Sequence, residues 1–227
     1  MKLLSILILF TTAAAVIQQP SLPDRKPLGE VNVTDLMDEL TAGFPEANSS
    51  HLAQVILWNP IYWEISGIQE NVDFLSLMPW LKDKCLVIVA QADIGIFGNA
   101  TWYSSEKIKK NLALTYYNQS GQRKALPIKR ALEHGDEAEL VEIIKGILVE
   151  MLGPMGEACE IYYCENAMEA YLPGKLEIQV GTTENILLRD NLSFPLDSLF
   201  IPRKCPNGKD AHVSWNYCPW SGSKLSE

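Results

Sequence analysis

Three histidines and five cysteines carry most of the reactive chemistry available to this 227-residue chain. His212 stands between Asp210 and Trp215, in a segment bounded by Cys205 and Cys218. An imidazole oriented by a carboxylate is a common general base. His212 with Asp210, or with Glu64 brought in by the fold, is therefore one candidate constellation. His51, just after Asn48-Ser49-Ser50, is a second candidate base. His134 falls at the end of a short helical segment, where a cation suits the helix dipole, and capping accounts for it. A zinc site from Cys205, His212 and Cys218 would need spacings of seven and six residues, which match no usual zinc pattern. No metal is expected. The chain also lacks G-x-S-x-G, H-E-x-x-H, a phosphate-binding glycine loop and a dinucleotide fingerprint, so no cofactor is implied. Gly95-Ile96-Phe97-Gly98 has only a glycine rhythm, and reads as a bulge or close backbone approach in an extended strand.

Binding chemistry is better represented than catalysis. Trp102 and Tyr103 follow Asn99-Ala100-Thr101 in what reads as an exposed loop, and such aromatics bring large area with a polar handle. From Lys107 to Arg130 there are seven basic residues and no acidic one. Lys109, Lys110, Arg123 and Lys124 form its candidate contact set for an acidic partner; the plainer reading is a solvated face. The formal net charge of −9 makes the whole chain a poor binder of nucleic acid or anionic membrane.

The cysteines depend on the compartment. Residues 1–15 read as a signal peptide: Lys2, an apolar run from Leu3 to Phe10, then Ala13-Ala14-Ala15, with cleavage expected after Ala15. The apolar run falls short of the ~20 residues of a spanning helix, so no membrane span is expected. Five N-x-Ser/Thr acceptors follow, at Asn32, Asn48, Asn99, Asn118 and Asn191. With Ser and Thr about a tenth of the chain, about one such triplet would arise among its asparagines by chance. A secreted or secretory-lumen glycoprotein is the expectation, and that compartment favours disulfides. Cys205 and Cys218 flank a loop and are the first choice of pair. Cys159 and Cys164, at the ends of a short strand, would lie ~16 Å apart and cannot bond. The other pairing among Cys85, Cys159 and Cys164 stays open.

The elements that would position these residues are unevenly legible. The strongest is a helix over residues 136–152, capped by Asp136 and Glu139. Leu140, Val141, Ile144, Ile147, Leu148, Met151 and Leu152 recur along it at helical spacing, and Gly153-Pro154 stops it. Residues 32–40 read as a short helix. Residues 52–58 fit strand or helix, Ile61–Ile65 alternate as a strand, and 73–81 give a helical turn or two. Cys85–Ala90 reads as a central strand, apolar on both faces, with a continuation through Ile94 and Ile96 to Gly98. Residues 112–116 and 126–128 form a hairpin about the turn Asn118–Gly121, and 128–134 a helical turn. Short strands are expected at 161–164, 176–180, 186–189 and 213–217.

Strands in runs with helices between them predict an α+β fold. The expectation is a single domain over residues 31–227, after a leader arm at 16–30. Its largely antiparallel sheet would pack against one long amphipathic helix and shorter helices. Without a catalytic motif, the functional expectation is a secreted, non-catalytic binding protein for an extracellular protein, glycan or small apolar ligand. The alternative is a secreted hydrolase using His212 or His51 as base. A structural matrix component ranks third, because no repeats are present.

Overall fold

The apolar segment CLVIVAQADI is the middle of the molecule, and the other elements are arranged about it. A computed structural model describes residues 22–43, 50–77, 79–131, 136–165, 168–182 and 186–225. Residues 1–21, on which the expected signal peptide and most of the expected arm fall, lie outside the described residues, as do Asn48, His134 and the side chains of Asp136, Glu139 and Leu140. In chain order the strands are β1 (Thr41–Ala42), β2 (His51–Trp58), β3 (Cys85–Ile94), β4 (Ala100–Trp102), β5 (Leu112–Tyr117) and β6 (Arg123–Ala125), followed by β7 (Ile128–Arg130), β8 (Glu160–Cys164), β9 (Gly174–Gly181), β10 (Ile186–Phe194), β11 (Arg203–Lys204) and β12 (Asp210–Ala211). The helices are α1 (Val33–Glu39), α2 (Pro60–Glu70), α3 (Phe74–Leu77), α4 (Ser105–Asn111), α5 (Asp136–Leu152) and α6 (Pro154–Glu157).

The fold is mixed α+β with antiparallel sheets. One sheet runs β1-β2-β3-β8-β7, with β4 also paired to β3; a second runs β10-β9-β5-β6; β11 and β12 form a small ribbon. All strand pairings among the described residues are antiparallel. β3 is buried from Cys85 to Ala92, as a strand covered on both faces must be. In β9 burial alternates, with Leu176, Ile178 and Val180 inside. Both sheets feed one core: Val55, Leu57, Val87 and Val89 from the first belong to the same buried cluster as Leu114, Ile178 and Leu192 from the second. α4 is tied to β8 beneath it, where Ser105 Oγ lies 2.8 Å from the Tyr162 hydroxyl, and that hydroxyl donates to the Ser105 carbonyl.

Several expectations need correction. Ile61–Ile65 is helical, not a strand. Asn59 caps α2, its side-chain oxygen accepting from the Tyr62 N–H, and Pro60 occupies the first turn. A chain-breaking pair is here a helix start. Ile128–Arg130 is a strand on β8, not a helical turn, so β6 and β7 belong to different sheets across Pro127. β3 stops at Ile94. The Gly98 N–H then donates to the Gly95 carbonyl in a tight turn, with Gly98 at φ 79°, leaving Ile96 and Phe97 over 90% exposed. Residues 213–217 contribute only an isolated bridge, Tyr217 with Lys224. On α5, Val141, Ile144 and Leu148 are buried, Ile147 and Leu152 pack partly against the core, and Met151 is half exposed.

Candidate functional site

The C-terminal segment is built differently from the rest. Cys205 and Cys218 are joined by a disulfide, Cα atoms 5.5 Å apart. With Ala211 and Leu225 they make a small core of their own. Arg203, buried, donates from its guanidinium to the Val213 and Trp215 carbonyls, so a cation clamps the loop from inside. With so little interior to fill, the larger side chains face outward: Trp215, Tyr217 and Trp220 are 39, 60 and 52% exposed. Trp215 and Trp220 meet edge to face at 6.1 Å, the His212 ring lies 5.7 Å from Trp215, and the Lys209 ammonium sits 4.9 Å from the Trp220 ring. Trp215 and Trp220 are thus held against each other at the surface, beside the disulfide.

His212 sits at the edge of this surface. The Ser214 backbone N–H donates to His212 Nδ1 at 3.1 Å, so that nitrogen is the unprotonated one in the neutral ring. The Ser214 hydroxyl, 2.7 Å from the same Nδ1, donates to it. Nε2 carries the proton and faces Asp197 Oδ2 at 3.5 Å, while Asp197 Oδ1 accepts from the Val213 N–H at 2.7 Å. Hydroxyl, imidazole and carboxylate thus line up in the order of a general-base relay. His212 also lines a cavity of about 140 Å3 with Asp197, Asp210 and Phe200; Ser214 is not in its lining. Neither partner expected for His212 serves it. Asp210 pairs with Lys204, and Glu64 is an exposed residue of α2, beside a different groove. Asp197 carried no signal in the sequence.

Asp197 is itself braced. Glu39, at the end of α1, accepts from the Ser198 N–H at 2.8 Å. Burial raises the Glu39 carboxyl to about 7, against the Ser198 hydrogen bond and with some help from the negative charge of Asp197.

The other candidate base lies elsewhere. His51 and Asp93 are register partners at the ends of β2 and β3, which places both side chains on one face. His51 Nδ1 is 2.8 Å from Asp93 Oδ1, and the Tyr103 hydroxyl donates to that oxygen at 2.7 Å. The Tyr103 bond, chiefly, holds the Asp93 carboxyl below its usual range. Burial, then Asp93, raises the Tyr103 phenol. Lys107 caps the Tyr103 ring at 3.1 Å. Trp102 and Tyr103, expected as exposed contacts, pack partly against the core. Tyr103 is part of this tether. Lys109 and Lys110 are exposed on α4, and Arg123 and Lys124 on the edge strand β6; no ion pair among the described residues engages any of the four.

A cavity of about 290 Å3 between α5, β7 and β8 is lined by Val141 and Ile161 beside Arg130, Glu142, Lys145 and Glu160. The Arg130–Glu160 pair is 3.2 Å apart. Of the asparagines in N-x-Ser/Thr triplets that are described, Asn32, Asn99 and Asn191 are exposed and Asn118 is half exposed. Asn32 Oδ1 caps α1, and Asn118 Oδ1 accepts from the Ser120 N–H and hydroxyl. No group of three or more metal-ligating side chains occurs among the described residues, and none of their helices is long and apolar enough to cross a membrane. Comparison with protein-family models, curated proteins and solved structures finds no match.

Proposed function

We propose that this protein is a secreted N-glycoprotein that acts as a non-catalytic binding protein, and that its contact surface is the disulfide-closed C-terminal segment. The observation that carries this is the exposure of Trp215 and Tyr217 on the disulfide-closed loop, with exposed Trp220, two residues beyond Cys218, set edge to face against Trp215. Trp and Tyr are the residues most often found at the energetic centres of protein interfaces. Charge narrows the partner. In a chain of net charge −9, residues 201–225 hold four basic side chains and one acidic one, with Lys209 and Lys224 exposed beside the aromatics. An acidic protein surface is the complement, and steering by those lysines would raise its association rate. The shared core of the two sheets supports a single domain over 31–227, with α5 as its long amphipathic helix.

The test places a photo-crosslinking residue at Tyr217 of the secreted chain and, as control, at Glu150 on α5. An adduct with an acidic protein from extracellular fluid should form at Tyr217 alone. A glycan adduct would reassign the partner class, and equal adducts at both positions would remove the surface from the account. Processing is checked in parallel: the mature chain should begin at Val16 and lose mass with an N-glycanase.

The hydrolase reading is second, favoured by the Ser214–His212–Asp197 alignment. It ranks lower because the same His212 nitrogen accepts the Ser214 backbone N–H, so a local turn accounts for the contact. A serine-directed phosphonate that labelled Ser214 in wild type but not in His212→Ala would reverse that ranking.

A further inference from the structure

β3 and β8 place two of the three remaining cysteines in direct register, Cys85 opposite Cys164. Opposite residues of an antiparallel pair stand about 4.5–5.5 Å apart at Cα, within the about 4.4–6.8 Å that a disulfide spans. Opposite side chains also leave the sheet on the same face, so the two Cβ atoms point the same way. Both residues are thiols here, and both are sealed in the core at 0 and 1% exposure. Cys159 precedes β8, with the length of that strand between it and Cys164, and it is paired in register with neither residue. From this juxtaposition we propose that Cys85 and Cys164 form a second disulfide in the mature protein, leaving Cys159 as the single free thiol.

The step is a thiol–disulfide exchange with a disulfide-bearing donor, either a small-molecule disulfide or a protein one. One cysteine thiolate attacks a donor sulfur, forms a mixed disulfide and releases one donor thiol. The other cysteine then displaces the second donor sulfur. Two cysteine thiols and one donor disulfide become one cystine and two donor thiols, with the protons passing to the released sulfurs. Burial fixes the timing. No donor reaches the finished core, so the exchange belongs to the stage at which β3 and β8 have paired but are still uncovered. Once the fold closes, burial and the Cys164 neighbour hold the Cys85 thiol well above the usual range, which shuts down ionisation in any unoxidised chain. Cys159 is inert for a related reason: burial raises its thiol to about 11, and a protonated thiol is a poor nucleophile. The odd cysteine therefore does not scramble the bond.

The inference rests on the secretory reading, and the Cys205–Cys218 bond separates the two. The secreted full-length chain is unfolded in guanidinium with one alkylating reagent, then reduced and treated with a second, isotopically distinct one. Peptide mass spectrometry reads which cysteines carry which label. The first label is expected on Cys159 alone, and an unreduced digest should yield a linked peptide pair containing Cys85 and Cys164. In Cys159→Ala the first label should disappear and the linked pair remain. First label on Cys85 and Cys164 with Cys205–Cys218 protected overturns the proposal and spares the compartment. First label on all five cysteines overturns both. Any linked pair containing Cys159 also overturns it.

Discussion

Glu39 shows how much of this molecule's behaviour is decided by one side chain and its surroundings. Its carboxyl, raised from 4.5 to about 7, binds a proton more tightly in the fold than in the unfolded chain. Stability from this group is therefore present below pH ~4.5 and is lost as pH climbs through about 7. Glu39→Gln keeps an oxygen for the Ser198 N–H and removes the titration. The variant should gain on wild type between pH 5 and pH 8, by on the order of 2 kcal/mol after discounting for residual solvent contact. Chemical denaturation at the two pH values measures it, and a constant difference would contradict the assignment. At this scale the sequence was half informative. His212 could be singled out by its company, Cys205, Asp210 and Trp215. Asp197 could not, because it sits in a short turn whose position is set by α1 through Glu39, and no local pattern encodes that contact. Trp102 and Tyr103 are half-buried for the same kind of reason: Trp102 pairs in register with Ala92 of β3, and the Tyr103 hydroxyl is held by Asp93 at the end of that strand.

Among the elements, α5 and α2 mark the limits of periodicity as a guide. In α5 the 3.6-residue spacing identifies the helix, and the structure then separates its apolar residues by depth. Ile144→Asp would bury a carboxylate without a partner at a fully buried position and should cost several kcal/mol. Met151→Lys, half exposed in the last turn where a cation suits the helix dipole, should cost less than ~0.5 kcal/mol. Equal losses in thermal unfolding would mean that the helix buries another face. Periodicity alone could not rank these two residues, since Met151 falls on the stripe but lies where the chain turns away at Gly153, φ 57°. In α2 the alternation of Ile61, Trp63 and Ile65 gave the wrong period. Trp58 stacks on Tyr62 and meets Trp63 edge-on, so neighbouring positions are buried together. The start signal, Asn59-Pro60, was present and decisive. Asn59→Ala should lose about 1 kcal/mol of stability; no loss would show that the cap is not needed. Gly67 is equally committed, because a Cβ there would meet the Val72 carbonyl oxygen at 2.3 Å.

For the molecule as a whole, class was easier to read than topology. Runs of short strands with helices between them pointed to α+β with antiparallel pairing. The division into separate sheets did not follow, because it depends on which strands meet across long stretches of chain, as β3 meets β8 and β5 meets β9. The same long-range pairing sets Cys85 against Cys164. The C-terminal surface belongs to this scale too. The aromatics there are outside because the segment folds round a disulfide and Arg203 rather than a large hydrophobic interior. As proposed, this surface binds a partner and does not react with it. The most direct test is the affinity of the protein captured at Tyr217 for wild type, Trp220→Ala and His212→Ala, with unfolding curves to show that each is folded. Loss of a central aromatic contact costs about 2 kcal/mol or more, so Trp220→Ala should weaken binding at least ~30-fold, with His212→Ala close to wild type. Unchanged affinity in Trp220→Ala, or a wild-type turnover of the captured molecule that His212→Ala abolishes, would contradict it.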